Sequence, residues 1–217
     1  MLKLSLAVDR GSPLKILAVG AHADDIEVGC GGTVLELLAT YANCEVCWVV
    51  LSAGGRRAAE ARRSGDAFLE GAQERRVIVE GFRDGFFPYS GPAVKDFFER
   101  LKGEVSPDLI LTHHGSDLHQ DHRLVSDLTW NTFRDHFILE YEVPKYDGDL
   151  GSPNVFVHLD ESTVRVKIEN ILGHFASQAE RRWFSEDVFR SMLRLRGMES
   201  NSPTLFAEGF YSRKILL

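Results

Sequence analysis

The chain has 217 residues, a formal net charge of -7, 44% hydrophobic and 26% charged residues. That length suits a single domain able to bury about 70% of its unfolded surface without disulfides, and the composition is that of an ordinary globular protein. The acidic balance argues against nucleic acid as a main partner, which would require a cationic face, and no apolar run approaches the roughly 18 residues of a membrane span.

In chain order, the apolar run at 4–8 is too short for a signal segment. Residues 15–19 (KILAV), 45–51 (EVCWVVL), 76–79 (RVIV) and 108–112 (DLILT) read as buried strands, and the intervening stretches 32–41, 57–71 and 92–103 have helical spacing. A further helix is expected from His122 to about residue 137. It precedes an ordered Pro-, Gly- and Asp-rich loop over 141–153 and a strand over 154–158. Helices over 161–175 and 185–196 and an extended segment over 205–216 complete the chain. Near-continuous apolar strands separated by helices predict an α/β fold. It is a Rossmann-like, mostly parallel sheet with helices on both faces, in one domain spanning 1–217.

Cys44-Glu-Val-Cys47 invites a redox or zinc reading, but on a strand residues three apart face opposite sides. With Cys30, these cysteines are read as small core residues, and a reducing cytoplasm is the expected location.

His22-Ala-Asp24-Asp25 follows the first strand and His119-Gln-Asp121-His122 follows the 108–112 strand. Open α/β sheets gather ligands beyond the carboxyl ends of their strands, so both motifs project to one edge. Imidazoles and carboxylates suit Zn²⁺, with Fe²⁺ or Co²⁺ also compatible. One of Asp24 and Asp25 can bind the ion while the other faces a metal-bound water. One of His119 and His122 can ligate while the other stands over the substrate, and Asp121 can orient a ring nitrogen. The bland alternative is a set of helix caps and surface histidines. The Gly29–Gly32 run lacks the spacing of a dinucleotide-binding loop and reads as close packing. His113, His114 and His174 read as supporting residues.

The run Ala21-His22-Ala23-Asp24-Asp25, then Glu27 and Gly29-Cys30-Gly31-Gly32, resembles the signature of the PIG-L/LmbE-type deacetylases. Thr112-His113, Asp117 and His119-Gln120-Asp121-His122-Arg123 resemble that family's second motif. The similarity continues through Arg57-Ala-Ala-Glu60, His174-Phe-Ala-Ser-Gln178, Arg196-Gly197 and Ala207-Glu208-Gly-Phe210. The resemblance implies a zinc-dependent N-deacetylase releasing acetate from an N-acetylglucosamine-type small molecule. It implies His22, Asp25 and His122 as metal ligands, Asp24 as general base and His119 facing the oxyanion. Asp121 supports them, and Arg57 and Asp84 lie on the substrate side. Tyr89, beside Phe86 and Phe87, is a candidate sugar platform. Ala23 stands where most members carry proline, and Asp117 and Leu118 stand where some place a polarising tyrosine. Any tyrosine contribution would come from Tyr89, Tyr141 or Tyr146. A homo-oligomer is compatible with the sequence.

Three other readings compete. One is hydrolysis of another amide or ester bond at the same centre. Another is a non-haem Fe²⁺ oxygenase built on two histidines and a carboxylate. The last is a non-catalytic sugar-nucleotide-binding α/β module.

Overall fold

A computed structural model describes residues 3–8 and 11–216. The chain runs β1 (Leu14–His22), α1 (Asp25–Thr40), β2 (Cys44–Ser52), α2 (Gly55–Phe68), β3 (Glu74–Val79), α3 (Gly91–Glu104), β4 (Leu109–His113) and α4 (Gln120–Thr132). It continues through β5 (Phe137–Tyr141), β6 (Val155–Leu159), α5 (Glu161–His174), α6 (Glu186–Glu199) and β7 (Phe206–Tyr211). The seven strands form one sheet in the order β3-β2-β1-β4-β5-β7-β6. The pairs β1–β2, β2–β3, β1–β4 and β4–β5 are parallel, and β7 runs antiparallel to both β5 and β6. No helix among the described residues is long and apolar enough to cross a membrane.

Side chains alternate across a strand, so a strand buried on both faces must be apolar throughout. In β1, Leu14, Ile16 and Ala18 enter one core while Leu17, Val19 and Ala21 enter the other. Helices α1, α2, α5 and α6 cover the first face, and α3 and α4 cover the second. Cys44 lies in the first core and Cys47 packs against the second, so the two thiols are separated by the sheet, and both are free.

Two elements depart from the sequence expectation. The helix expected to reach residue 137 stops at Thr132, and Phe137–Tyr141 forms a strand parallel to β4. Apolar residues at helical spacing continue past Thr132, but pairing with β4 decides the outcome. Helix α1 begins at Asp25, well ahead of residue 32. Glycines at 29, 31 and 32 lower its intrinsic helix propensity, yet close packing requires them. A Cβ at Gly29 would lie 2.2 Å from the Tyr141 ring, at Gly31 2.7 Å from Phe68, and at Gly32 2.5 Å from Leu159.

An ion pair anchors α1 from below. Lys167 of α5 and Glu208 of β7 are each 2% exposed and 2.6 Å apart. The Glu208 carboxylate accepts the Gly32 N–H at 2.8 Å and the Thr33 N–H at 2.6 Å, and the Lys167 ammonium donates to the Val28 carbonyl at 2.7 Å.

Candidate active site

Strand order reverses between β1 and β4, and there the carboxyl ends of parallel strands open a crevice. His22 ends β1, Asp24 and Asp25 open α1, Arg57 lies in the first turn of α2, and His113 ends β4. His119 is the N-cap of α4, its Nδ1 accepting the Asp121 N–H at 3.2 Å, and Asp121 and His122 occupy the first turn.

His22 Nδ1, Asp25 Oδ2 and His122 Nε2 form a triangle with edges of 3.2, 3.3 and 3.4 Å. Ligands about 2.0–2.1 Å from a tetrahedral ion are separated by about 3.3–3.4 Å, so this donor set fits a divalent cation of zinc's size. Related groupings with donor atoms within 4.8 Å of one another are His22, His119 and His122; Asp25, His113 and His122; and His22, Asp84 and Asp121.

The far nitrogen of each histidine in the triangle meets carboxylates. His22 Nε2 lies 3.2 Å from Asp121 Oδ2 and 3.1 Å from Asp84 Oδ1, and His122 Nδ1 lies 2.9 Å from Asp117 Oδ2. Such bonds fix ring orientation and leave the opposite nitrogen's lone pair toward an ion. Asp121 also accepts the Gly85 N–H at 2.7 Å and the Phe87 N–H at 3.1 Å, tying the loop after β3 to α4. Gly85 permits that turn with φ of 75°.

The adjacent carboxylates diverge. Neither caps α1: Asp24 makes no side-chain cap bond, and Asp25 Oδ2 accepts the His22 N–H at 2.6 Å. Asp24 Oδ1 accepts from Arg57 Nη2 at 2.9 Å, while its buried Oδ2 has no protein partner among the described residues. Burial raises the Asp24 pKa against the opposing charge of Arg57. For Asp25 burial is outweighed by the charges of His122, His113 and His22, which hold it well below the usual carboxylate range. Neighbouring carboxyls driven apart in this way have the electrostatics of an anion and a proton acceptor.

The histidines separate similarly. Burial is overcome at His22 by Asp25, Asp121 and Asp84, and at His122 by Asp25 and Asp117, so both bind protons more tightly than a free imidazole. His119 is lowered by burial and by the charges of His122 and His22. Burial takes His113 down to about 4. Its Nε2 accepts the Ala21 N–H at 2.9 Å, and its ring stacks on His122 with centroids 3.9 Å apart. Any ion entering the triangle must displace the protons held by His22 and His122, so apparent affinity weakens as pH falls. Calorimetry near pH 6.5 in buffers of different ionisation enthalpy is expected to show about one to two protons released per ion; no release would contradict this.

Glu27 is fully buried in α1, and neither oxygen meets a partner at hydrogen-bond geometry among the described residues. Burial lifts its carboxyl from 4.5 to about 8, with the Ser64 hydroxyl opposing only in part. The folded state therefore keeps a proton that the unfolded chain has lost, and stability falls as pH rises from about 4.5 to 8, at about 1.4 kcal/mol per pH unit. In metal-free protein, Glu27→Gln is expected to lessen the fall of the melting temperature between about pH 4.5 and 6.5, below the range where the raised His22 and His122 add their own pH dependence; an unchanged slope there would refute the assignment.

Of the residues expected from sequence, His22, Asp24, Asp25, Arg57, Asp84, His119, Asp121 and His122 are linked by the contacts above and by ring neighbours, His119 lying 4.9 Å from His22 and 4.6 Å from His122 between centroids. Tyr89 is 77% exposed, with its ring against Phe86. Tyr141 is fully buried and donates its hydroxyl to the Val19 carbonyl at 2.7 Å. Sequence reading gave no function to Asp117 or Lys145. An acidic residue in the loop just ahead of His122 was the available signal for Asp117; nothing local marks Lys145.

The PIG-L family, described as GlcNAc-PI de-N-acetylase, matches residues 17–133, more than half of the chain, and the chain belongs to that family. Among solved structures it is similar to an N,N'-diacetylchitobiose deacetylase from Pyrococcus horikoshii (21% identity, TM-score 0.70, 92% of this chain and 83% of the other). It is also similar to a teicoplanin deacetylase solved in a zinc-inhibited form (14%, TM-score 0.71, 91% and 97%). A third similar structure is the 4-carboxy-2-hydroxymuconate hydratase of Pseudomonas putida (16%, TM-score 0.66, 94% and 97%). These likenesses show the fold, which serves more than one reaction. A comparison with proteins of curated function finds no match.

Proposed function

We propose that residues 1–217 act as one metal-dependent N-deacetylase domain, hydrolysing the acetamide of an N-acetylglucosamine-type substrate to acetate and a free amine. The observation that carries this reading is the donor triangle of His22, Asp25 and His122 together with the neighbouring residue Asp24, one of whose oxygens is buried with no partner among the described residues. Those three residues would hold the ion, and the nitrogen and carboxylate donors favour Zn²⁺ over Fe²⁺ or Co²⁺. When bound, a divalent ion supplies Lewis acidity that acidifies a water and polarises a carbonyl.

The chain's own groups supply the rest. Asp24 Oδ2 accepts the proton of the attacking water, while Arg57 holds Oδ1 and so aims the other oxygen. His119 has its Nδ1 occupied as an acceptor, which puts its proton on Nε2. As a neutral donor, it bonds the acetamide oxygen as charge develops there. Losing such a donor costs about 3–4 kcal/mol of barrier. The proton taken by Asp24 can then pass to the departing amine. Asp121 and Asp117 keep His22 and His122 in register. Arg57 and the 65% exposed Asp84 offer polar contacts to sugar hydroxyls, and Tyr89 an aromatic face.

Acetate release from a panel of N-acetylglucosaminides tests the reading. Turnover of at least one amino sugar is expected. Cleavage of simple esters or hydration of an alkene without any acetate release would replace it with another reaction on the same fold.

A further inference from the structure

The loop over 142–151 is pinned at both ends to one buried ion pair. Arg196 of α6 donates to Glu142 through Nε and Nη2, each at 2.9 Å, and reaches the Gly151 carbonyl at 3.1 Å. Glu142 in turn accepts the Gly151 N–H at 3.0 Å and the Tyr211 hydroxyl at 2.7 Å. A long loop is ordinarily a mobile part of a fold. Here a bidentate guanidinium–carboxylate pair closes it into a rigid arch.

From that base the arch reaches back to the second histidine motif. The Lys145 ammonium lies 2.9 Å from Asp117 Oδ2 and 2.5 Å from Asp149 Oδ2. Asp149 Oδ2 accepts the Leu118 N–H at 2.7 Å, so the arch is bonded to the motif at two places. The Lys145 side chain is only 13% exposed, and holding a long flexible amine there costs rotamer entropy that a solvated lysine would not lose. The oxygen it contacts is the one facing His122 Nδ1 at 2.9 Å, while Asp117 Oδ1 accepts the His119 N–H at 2.7 Å. Asp117 thus sets the orientation of the His122 ring and the backbone of His119, and Lys145 is the cation that holds Asp117.

The charge distribution makes the same point. Asp25, Asp84, Asp117 and Asp121 each meet His22 or His122, and Asp24 adjoins Asp25 in the chain. Among the described residues only Arg57, on Asp24, and Lys145, on Asp117, pair with them as lysine or arginine cations.

We infer that Lys145 is a positioning residue for the metal centre, acting through Asp117 to hold the His122 ring with Nε2 in the donor triangle. The inference rests on the proposed reading of His122 as a ligand. Removing the ammonium frees the Asp117 carboxylate to turn, and the His122 ring loses its fixed partner. Loss of an outer partner of a ligand histidine typically weakens metal affinity by about 10- to 100-fold.

The test is Co²⁺ binding to the whole chain by chelator competition, with the visible absorption of the bound ion recorded, in wild type, His122→Ala, Lys145→Met and Lys145→Arg. Lys145→Gln, which keeps much of the length and polarity without the charge, serves as a second neutral variant should the methionine protein fail to fold. The expected result is a Co²⁺ affinity lowered about 10- to 100-fold in the neutral variants with a shifted absorption band, and recovered in Lys145→Arg. Thermal melting of the metal-free proteins shows whether folding is intact. Neutral variants that bind Co²⁺ with wild-type affinity and spectrum, while His122→Ala does not bind, would overturn the role of Lys145 and leave the centre standing. Wild-type affinity retained in His122→Ala would overturn the ligand assignment and this inference with it.

Discussion

Asp24→Asn is expected to slow acetate release by about 10²- to 10⁴-fold in metal-loaded protein, the usual contribution of a positioned general base. The substitution is nearly isosteric, and the Asn carbonyl can still accept from Arg57 in place of Oδ1, which now lies 2.9 Å from Nη2. The other oxygen becomes an amide nitrogen that cannot take a proton. Asp25, held well below the usual carboxylate range, is untouched, so the metal content should equal that of wild type. Steady-state kinetics on protein of verified metal content would decide the matter. A fall of less than tenfold would show that Asp24 is not the base.

Lys167→Met is expected to cost about 3–5 kcal/mol of folding stability, because it strands the Glu208 carboxylate in the core. Both partners are 2% exposed, and the ammonium also donates to the Val28 carbonyl at 2.7 Å. Glu208 receives the Gly32 and Thr33 N–H groups, which soften the loss without neutralising the charge. The double variant Lys167→Met/Glu208→Gln should therefore recover part of the stability, since neither charge remains. Urea unfolding monitored by circular dichroism would measure both. A loss below about 1 kcal/mol in the single variant would mean that the pair is dispensable. The effect bears on function because α1 carries Asp24 and Asp25 at its start, and this pair fastens the helix to α5 and β7.

The parts of the molecule that could be read from sequence are those where one local pattern had one structural solution. Strands β1, β2 and β4 are short, near-continuous apolar runs, and their alternation with stretches of helical spacing points to a parallel sheet covered on both faces. Strand β5 was hidden because the helix-like spacing of Trp130, Phe133 and Phe137 runs into its first residue, and its pairing with β4 is what makes the segment a strand. The start of α1 was hidden because its glycines look unhelical until Tyr141, Phe68 and Leu159 are seen pressing on them. In the candidate site, the two histidine–aspartate motifs stand out through residue type and spacing, and parallel strands carry both to one edge. Asp117 falls within the second motif, five residues before His122, but residue type alone did not show that it faces that ring, and Lys145 does not stand out because its contact with Asp117 joins two loops far apart in sequence. Tyr89 was singled out as an aromatic near other aromatics, and its 77% exposed ring packs against Phe86.

The most direct measurement is metal content and acetate release together, on wild type and His122→Ala purified without chelator. The triangle of His22, Asp25 and His122 predicts about one divalent ion per chain, acetate produced from an N-acetylglucosaminide, and loss of both in the variant. A wild-type protein that releases acetate with no bound metal, or a His122→Ala variant that keeps both ion and activity, would contradict the proposed centre.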